Sequence, residues 1–366
     1  MCRIVIVTIL HLKSTWASIF LGGTISWKSE GQRKVTFHEK LGFNLYNGPG
    51  CEIGKEGKYV SKLQNEDWKC SSGCTISDVI SDVNYFCSSV NIQEQWEQGD
   101  KTFSFTFPST GPFVVSYADA INGHHIQTTV DLRARSDIYK PNSSPITTAK
   151  PLYRFPLGCT SVISIPVSDP DGDAVKCRWA NSVECGGTCQ TLPNAILDED
   201  TCTLEVDSTT LNGYAANQIY KVKITVEDKP KQNILLDTEK YTVSDTISSV
   251  PVQFEVHITQ QTTACNDRPA FVSDTPGDQA VITSGNGVFN IDLYAMTVGS
   301  STRIKEFVLS TPNGLTVSSP SKDDKGRPNI WYGTMSWSPD SAQQGLSIVC
   351  IEAVDDKGII ELLFNV

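Results

Sequence analysis

Three carboxylates occupy alternate positions in the segment Ser168-Asp169-Pro170-Asp171-Gly172-Asp173. Calcium is a hard cation that takes about six to eight oxygen ligands, and carboxylates supply many of them in proteins. The proline and the glycine favour a bend that turns alternate side chains toward one ion. The alternative is a plain polar turn, because the same residues are common in turns that bind no metal. We expect a calcium loop between two strands, since the twelve-residue frame of an EF-hand is missing.

The segments that must position these acids have the pattern of strands. Apolar and polar residues alternate in stretches such as 102–107, 162–167 and 221–226, and a period of two is typical of half-buried strands. Turn-forming Asn-Gly pairs separate such stretches, and no long stretch has the period of a helix. The sequence therefore predicts an all-β chain of three tandem antiparallel β-sandwich-like domains.

Two polar stretches with an Asn-x-x-Pro pattern mark the expected boundaries, one beginning at Asn142 and the other at Asn266. Their separation nearly equals that of the similar strands that begin at Val226 and Val354, which predicts an internal repeat of about 125 residues. The expected parts are a signal peptide at 1–17, a disulfide-bonded β domain at 19–139, a calcium-binding sandwich at 140–264 and a related sandwich at 265–366.

The repeat also predicts which domain has the calcium site. Aligning Val162 with Val288 sets the non-acidic residues Ala295, Thr297 and Gly299 opposite the three acids of the loop. The third domain should therefore lack an equivalent site. Only Asp355 and Asp356, with the linker pair Asn266-Asp267, remain there as candidates for a weaker ion.

The first 17 residues indicate secretion. They contain Arg3, an apolar run from Ile4 to Leu12 and small residues near Ala17, as in a signal peptide, although a buried first strand is the alternative. The formal net charge of −11 argues against nucleic acid as a partner. No later segment has the run of about 20 apolar residues that a membrane helix needs. We expect an extracellular protein whose partner is another extracellular protein or a glycan.

The Asn142-x-x-Pro145 linker, the acidic loop and the closing strand Val226-Glu227-Asp228 together resemble the cadherin-like family of extracellular sandwiches. In that family calcium lies at the junction between consecutive modules. The resemblance covers about residues 140 to 262, with a weaker Ig-like resemblance over 265–366. It implies calcium as the cofactor, held by Asn142, Asp169, Asp171, Asp173 and Asp228. The chain departs from the family in the five cysteines of its second domain and in a linker that is poor in acids.

A second resemblance rests on Gly22-Gly23-Thr24-Ile25-Ser26-Trp27 and on the cysteine-bearing stretches 177–180 and 184–189. These look like a group of uncharacterised multidomain secreted proteins of invertebrates. The resemblance implies a role in extracellular structure or adhesion and brings no biochemical activity with it.

Twelve cysteines cluster by region, as disulfides within separate domains of a secreted protein would. Cys2 would be lost with the signal peptide. We expect Cys159 to pair with Cys265, because they lie at the two ends of the second domain. Two bridges are expected in each of two groups, with the pairing inside each group left open: Cys51, Cys70, Cys74 and Cys87, and Cys177, Cys185, Cys189 and Cys202. Zinc half-sites at 70–74 and 185–189 are the alternative.

This assignment leaves Cys350 without a partner, and the chain stops on the apolar stretch 359–366. A free thiol is uncommon in an oxidising compartment, and chain termini are usually polar. We therefore expect the protein to continue beyond Val366 and to bring a cysteine that pairs with Cys350. The alternative is a buried free thiol that packs as a small hydrophobic residue.

The function expected from these features is that of a non-enzymatic adhesion or matrix protein, with three domains in a row and calcium at the first junction. The alternative is a soluble protein that recognises carbohydrate or a microbial surface through loops of the first domain. A hydrolase would need a group such as Asp119 with His124 and His125, which is more typical of an exposed hairpin tip. Asn142 also begins the sequon Asn142-Ser143-Ser144, and a glycan there would compete with calcium.

Overall fold

The computed structural model describes residues 20–51, 53–54, 57–61, 63, 66–74, 78–119, 124–187, 189, 192–260, 264–265, 267–275, 287–299, 301–310, 315–339, 348–356 and 360–365. The proposed signal peptide at 1–17 lies outside these residues. The regular secondary structure of the described residues is strands, apart from one short 3₁₀ turn at Thr210–Asn212. Across them, no helix combines the length and the apolar character needed to cross a bilayer. The expected all-β class is confirmed.

The first domain is a twisted sheet folded over its own core. Its strands are β1 (Phe20–Gly31), β2 (Lys34–Asn44), β3 (Tyr59–Val60), β4 (Asp67–Ser72), β5 (Val79–Asp82), β6 (Tyr85–Asn91), β7 (Trp96–Thr106), β8 (Phe113–Asp119) and β9 (His124–Val130). One side has the order β3-β6-β7-β2-β1 and the other has the order β9-β8-β4-β5. Aromatic rings join the two sides, with Phe107 stacked on Phe113 at a centroid distance of 4.3 Å.

The second domain contributes eleven strands. They are β10 (Ile146–Thr147), β11 (Leu152–Pro156), β12 (Thr160–Ser164), β13 (Val167–Ser168), β14 (Ala174–Trp179), β15 (Ile196–Asp198), β16 (Thr203–Asp207), β17 (Ile219–Lys229), β18 (Ile234–Leu236), β19 (Glu239–Tyr241) and β20 (Ser248–Thr259). The third domain contributes β21 (Ala270–Phe271), β22 (Phe289–Met296), β23 (Ile304–Ser310), β24 (Leu315–Val317), β25 (Ser321–Lys322), β26 (Ile330–Trp337), β27 (Val349–Asp355) and β28 (Ile360–Asn365).

The second and third domains have the same strand pairing, which supports the predicted repeat. One sheet has the order β12-β16-β15 in the second domain and contains β22-β26-β24 in the third. The facing sheet contains β14-β17-β20 in the second domain and is β23-β27-β28 in the third. This division of antiparallel strands between two packed sheets is the arrangement of an immunoglobulin-like sandwich.

Strand β20 joins the first two domains into one sheet. It pairs with β17 along its length, with β11 in parallel, and with the first domain at Gly23–Gln253 and Ser249–Thr129. Gly22 permits this approach, because a Cβ there would lie 2.0 Å from the carbonyl oxygen of Gln253, and its φ of +151° disfavours other residues. The two domains therefore share backbone pairing as well as a linker.

The third domain also reaches the first. Lys150, close to the start of the second domain, is buried, and its Nζ lies 2.7 Å from Glu352 Oε1 on β27 and 3.3 Å from Glu94 Oε2 between β6 and β7. One cation is thus shared by carboxylates from the first and third domains. The sequence suggested domains in a row and contained no sign of this contact, because the three residues are far apart in the chain.

All ten cysteines expected to pair do so. The bridges are Cys51–Cys87, Cys70–Cys74, Cys159–Cys265, Cys177–Cys202 and Cys185–Cys189. The two short-spaced pairs that had a zinc alternative are therefore disulfides. Cys350 lies on β27, and its side chain is outside the described residues.

Candidate metal site at the first domain junction

The linker that follows β9 is tied firmly to the second domain. Ala134 and Arg135 form isolated backbone bridges with Pro141 and Leu236. The Asp237 N–H donates to the Ala134 carbonyl at 2.9 Å. The guanidinium of Arg133 forms ion pairs with Asp131 and with Glu239. Because Glu239 lies on β19, the second pair anchors the linker to that strand. This segment is therefore held in one conformation where it meets the acidic loop.

The acidic loop connects β13 to β14 and is shaped by its first acid. The N–H groups of Asp171 and Asp173 both donate to Asp169 Oδ1 at 2.9 Å. Gly172 has a φ of +82°, which a glycine adopts without strain. The loop is thus an Asx-type turn that places its side chains on the side of the linker.

Three of the five predicted ligands come together. One carboxylate oxygen from each of Asp169, Asp173 and Asp228 lies within 4.8 Å of the others. Asp228, on β17, is fully buried and accepts hydrogen bonds from the Ser248 N–H at 2.6 Å and from its hydroxyl at 2.8 Å. The loop and β17, the strand that pairs with β14 directly after the loop, therefore contribute to one acidic group.

The other two predicted ligands lie beside this group and contact different partners. Asn142 is buried, donates from Nδ2 to Asp228, and accepts a hydrogen bond on Oδ1 from Arg135. Asp171 accepts from the Ser143 N–H at 2.6 Å, and its second oxygen lies 2.6 Å from Lys140 Nζ. In this arrangement both residues hold the linker in place and direct no free oxygen at the three-carboxylate group.

Arg135 is the residue that the sequence analysis missed. Its side chain is only 1% exposed, and its guanidinium binds both oxygens of Asp173 and both oxygens of Asp137. The sequence does contain a hint of this residue, because Arg133 and Arg135 stand two positions apart shortly before the Asn142 linker. An alternating pair of arginines next to a predicted acidic loop indicates a counter-charge.

Burial sets the protonation of the acidic group. It raises the pKa of Asp228 to about 8; the charge of Asp169 adds to the shift, and hydrogen bonds from Asn142 and Ser248 oppose it. Burial also raises the pKa of Asp169 to about 6, against backbone hydrogen bonds from Asp173 and Asp171. Both shifts arise chiefly because burial removes the water that would stabilise the charged carboxylate.

The donor set fits a hard divalent cation. Asp169 Oδ2 is buried and has no hydrogen-bond donor, and it belongs to a group made entirely of carboxylates. Such oxygens are the ligands that calcium prefers. The three acids would supply only part of its coordination shell, and Arg135 already binds one of them.

Two other predicted features, the Asn142 sequon and the histidine pair that includes His125, lie between the first two domains. The Asn142 side chain is buried and its Nδ2 is hydrogen bonded, so a glycan on that nitrogen is incompatible with the folded arrangement. His125 Nδ1 lies 3.1 Å from the Glu184 carbonyl oxygen, which makes this histidine a contact between the first two domains. The side chains of Asp119 and His124 lie outside the described residues.

Comparisons with known proteins identify no family, and the solved structures they return have low overall similarity to this chain. No family model matches the chain, and no curated protein matches it. The N-terminal eight-domain fragment of Down Syndrome Cell Adhesion Molecule is 10% identical with a TM-score of 0.21, and covers 82% of this chain and 36% of that one. A three-domain I-band fragment of titin is 9% identical with a TM-score of 0.17, and covers 91% of each chain.

The chain spans about a third of the length of the adhesion-molecule fragment it resembles. With TM-scores this low, the strand pairing within each domain, rather than the overall superposition, defines the class: an all-β chain with immunoglobulin-like sandwich modules and five disulfides.

Proposed function

We propose that this chain is a non-enzymatic extracellular adhesion or matrix protein whose first domain junction is held rigid by a buried charged group that takes up calcium. The observation that carries the proposal is the meeting of the linker, the acidic loop and β17 at Arg135, Asp173 and Asp228. A rigid junction fixes the direction in which the first domain presents its surface. A fixed direction suits a multidomain adhesion or matrix protein, because it presents the same surface to each partner.

Calcium at this junction would be held by Asp169, Asp173 and Asp228. It would supply positive charge to a site with five carboxylates, counting Asp137 and Asp171 with the three ligands. Among the described residues, the cations paired with these carboxylates are Arg135 and Lys140. An ion that binds only the folded junction stabilises it by mass action. The junction would therefore be stiffest at the millimolar calcium concentration found outside cells.

The test is thermal unfolding of the whole secreted chain in millimolar calcium and in chelator. Calcium should raise the unfolding midpoint by about 3 °C or more, because roughly 1 kcal/mol shifts a domain of this size by that amount. Asp169→Asn should remove the gain. The matched control is Asp198→Asn, an exposed aspartate at the end of β15. An identical midpoint in calcium and chelator would contradict calcium binding at the junction.

Adhesion itself is tested separately. Beads coated with the secreted chain should cluster, or bind extracellular matrix, more strongly in calcium than in chelator. Beads coated with the Asp169→Asn chain should show no such difference. Equal and negligible clustering in all four samples would contradict an adhesive role.

A second candidate function is glycan recognition by the first domain. Tyr59 on β3 and Phe86 on β6 are 44% and 42% exposed, and their rings lie 5.1 Å apart. Exposed aromatic rings are enriched at binding surfaces. A glycan array should then give hits that Tyr59→Ala and Phe86→Ala abolish, without any dependence on calcium.

A further inference from the structure

Arg135 is bound to the same carboxylates that would hold calcium. Its guanidinium donates to both oxygens of Asp173 and, through Asn142, is linked to Asp228. A guanidinium and a metal ion both satisfy carboxylates by offering positive charge at short range. The site therefore already contains one cation that belongs to the chain.

The position of Arg135 follows from the backbone of the linker. Its N–H donates to the Lys140 carbonyl at 3.0 Å, and the Tyr139 N–H donates to the Arg135 carbonyl at 2.9 Å. This closed turn points the side chain inward, where it is 1% exposed. The guanidinium is thus held beside the acids by a turn whose backbone is itself hydrogen bonded.

The charges do not balance with Arg135 alone. The carboxylates of the junction outnumber its cations, and Asp169 Oδ2 remains without a donor. A divalent ion beside Asp169 and Asp228 would share Asp173 with the guanidinium. Two cations so close together repel each other, and burial strengthens that repulsion. Arg135 must therefore weaken calcium binding. It also replaces part of the ion's effect on the junction, because it supplies positive charge to the same acids.

We propose that Arg135 is an internal cation that keeps the first junction closed in the absence of calcium and sets a low calcium affinity for the Asp169–Asp173–Asp228 group. The inference rests on the proposed calcium site and adds the residue that regulates it. It predicts a junction that responds only to high, extracellular calcium concentrations.

The test compares Arg135→Met with Arg133→Met in the whole secreted chain. Both arginines belong to the same linker and bind acids, but Arg133 contacts Asp131 and Glu239 and not the acidic loop. Calcium affinity is measured by isothermal titration calorimetry, and stability is measured by thermal unfolding in chelator and in calcium. Arg135→Met should bind calcium at least tenfold more tightly than the parent chain, and most of its lost stability should return with calcium. Arg133→Met should bind calcium like the parent chain.

The outcomes separate this inference from the proposed function. If the parent chain binds calcium and folded Arg135→Met binds it with the same affinity, the inference is overturned and the calcium site stands. If neither the parent chain nor any variant binds calcium, both the proposed calcium site and the inference fail. If Arg135→Met binds calcium but the parent chain shows no measurable binding, the result supports Arg135 as an internal cation. It contradicts calcium uptake by the parent chain.

A variant that does not fold in chelator remains informative. Arg135→Met that folds only when calcium is present supports the inference directly. If it folds in neither condition, the double variant Arg135→Met/Asp137→Asn removes the one acid that Arg135 neutralises outside the three-carboxylate group. The same tenfold gain is expected there, and its absence would overturn the inference.

Discussion

The second and third domains share one strand pairing, but the loops that lead into β14 and β23 differ. In the second domain the loop carries three acids and contacts the linker from the first domain. In the third domain the segment 297–303 has no acidic residue, and the Thr297 hydroxyl donates to the Thr302 carbonyl at 3.0 Å. The sandwich therefore does not need the acids. Two of them, Asp171 and Asp173, contact the linker from the first domain.

The two domains are also attached by different means. The second is joined to the first by backbone pairing of β20 and by the buried charges around Arg135. The third is attached at separate points: the Cys159–Cys265 bridge, a hydrogen bond of 3.1 Å from Arg268 to Ser161, and the Lys150–Glu352 ion pair. The first junction should therefore open only with loss of strand pairing, whereas the third domain can separate without it.

The largest effect is expected from the bridge that encloses the second domain. Replacing both Cys159 and Cys265 by Ser removes a link across 106 positions, which should cost about 5 kcal/mol of stability. The same replacement at Cys185 and Cys189, four positions apart, should cost about 2 kcal/mol. Calorimetric unfolding of the two variants measures the difference. Equal losses would show that loop length does not govern these bridges.

The next effect tests the buried acid of β17. Asp228→Ala leaves the Asn142 amide and the Ser248 N–H without their acceptor, which should cost about 3 kcal/mol. The control is Asp356→Ala in the third domain, where the side chain is one-third exposed and lies 3.9 Å from Arg303. Its cost should stay below about 0.5 kcal/mol. Urea denaturation compares the two, and similar costs would remove the contrast between the domains.

A smaller effect is expected from the shared sheet. Gly22→Ala brings a methyl group against the Gln253 carbonyl and should cost about 2 to 3 kcal/mol. Gly31 also has a positive φ, of +81°, but a Cβ there meets no atom within 4 Å, so Gly31→Ala should cost only the backbone strain of about 1 kcal/mol. Hydrogen exchange at β20 should rise in the first variant alone. Unchanged exchange there would mean that β1 does not support β20.

The smallest effect concerns pH and the third domain. Burial raises the pKa of Glu352 to about 7, with Lys150 opposing the shift and Glu94 adding to it. When the third domain is docked, the Glu352 carboxyl therefore keeps its proton up to about pH 7. When the domain is separated, the carboxyl loses this proton above its ordinary pKa of 4.5. Docking should weaken as the pH rises through this window and level off above about 7, by roughly 1 to 2 kcal/mol between pH 5.5 and 7.5.

Small-angle scattering measures this docking through the radius of gyration. The parent chain should become more extended between pH 5.5 and 7.5, and Glu352→Gln, which cannot titrate, should not change. The same expansion in both proteins would assign the pH dependence to other groups.

The amino-acid sequence alone determined the class of the protein and the local parts of its site. Alternation of apolar and polar residues is a local property of each strand, so it predicted the all-β fold. The positions of Cys159 and Cys265 at the two ends of one domain predicted their bridge. The spacing of Asp169 and Asp173 in one turn predicted that these acids would lie together, and the family resemblance added Asp228, which lies beside them.

Only the tertiary structure decided how those parts are used. Whether Asn142 faces an ion or a guanidinium depends on where the linker lies, and the linker is positioned by bridges to distant residues such as Leu236. The choice of Arg135 and Lys150 as buried cations depends in the same way on which surfaces meet. A buried charge is stable only beside its counter-charge, and that pairing forms between segments whose proximity no local pattern encodes.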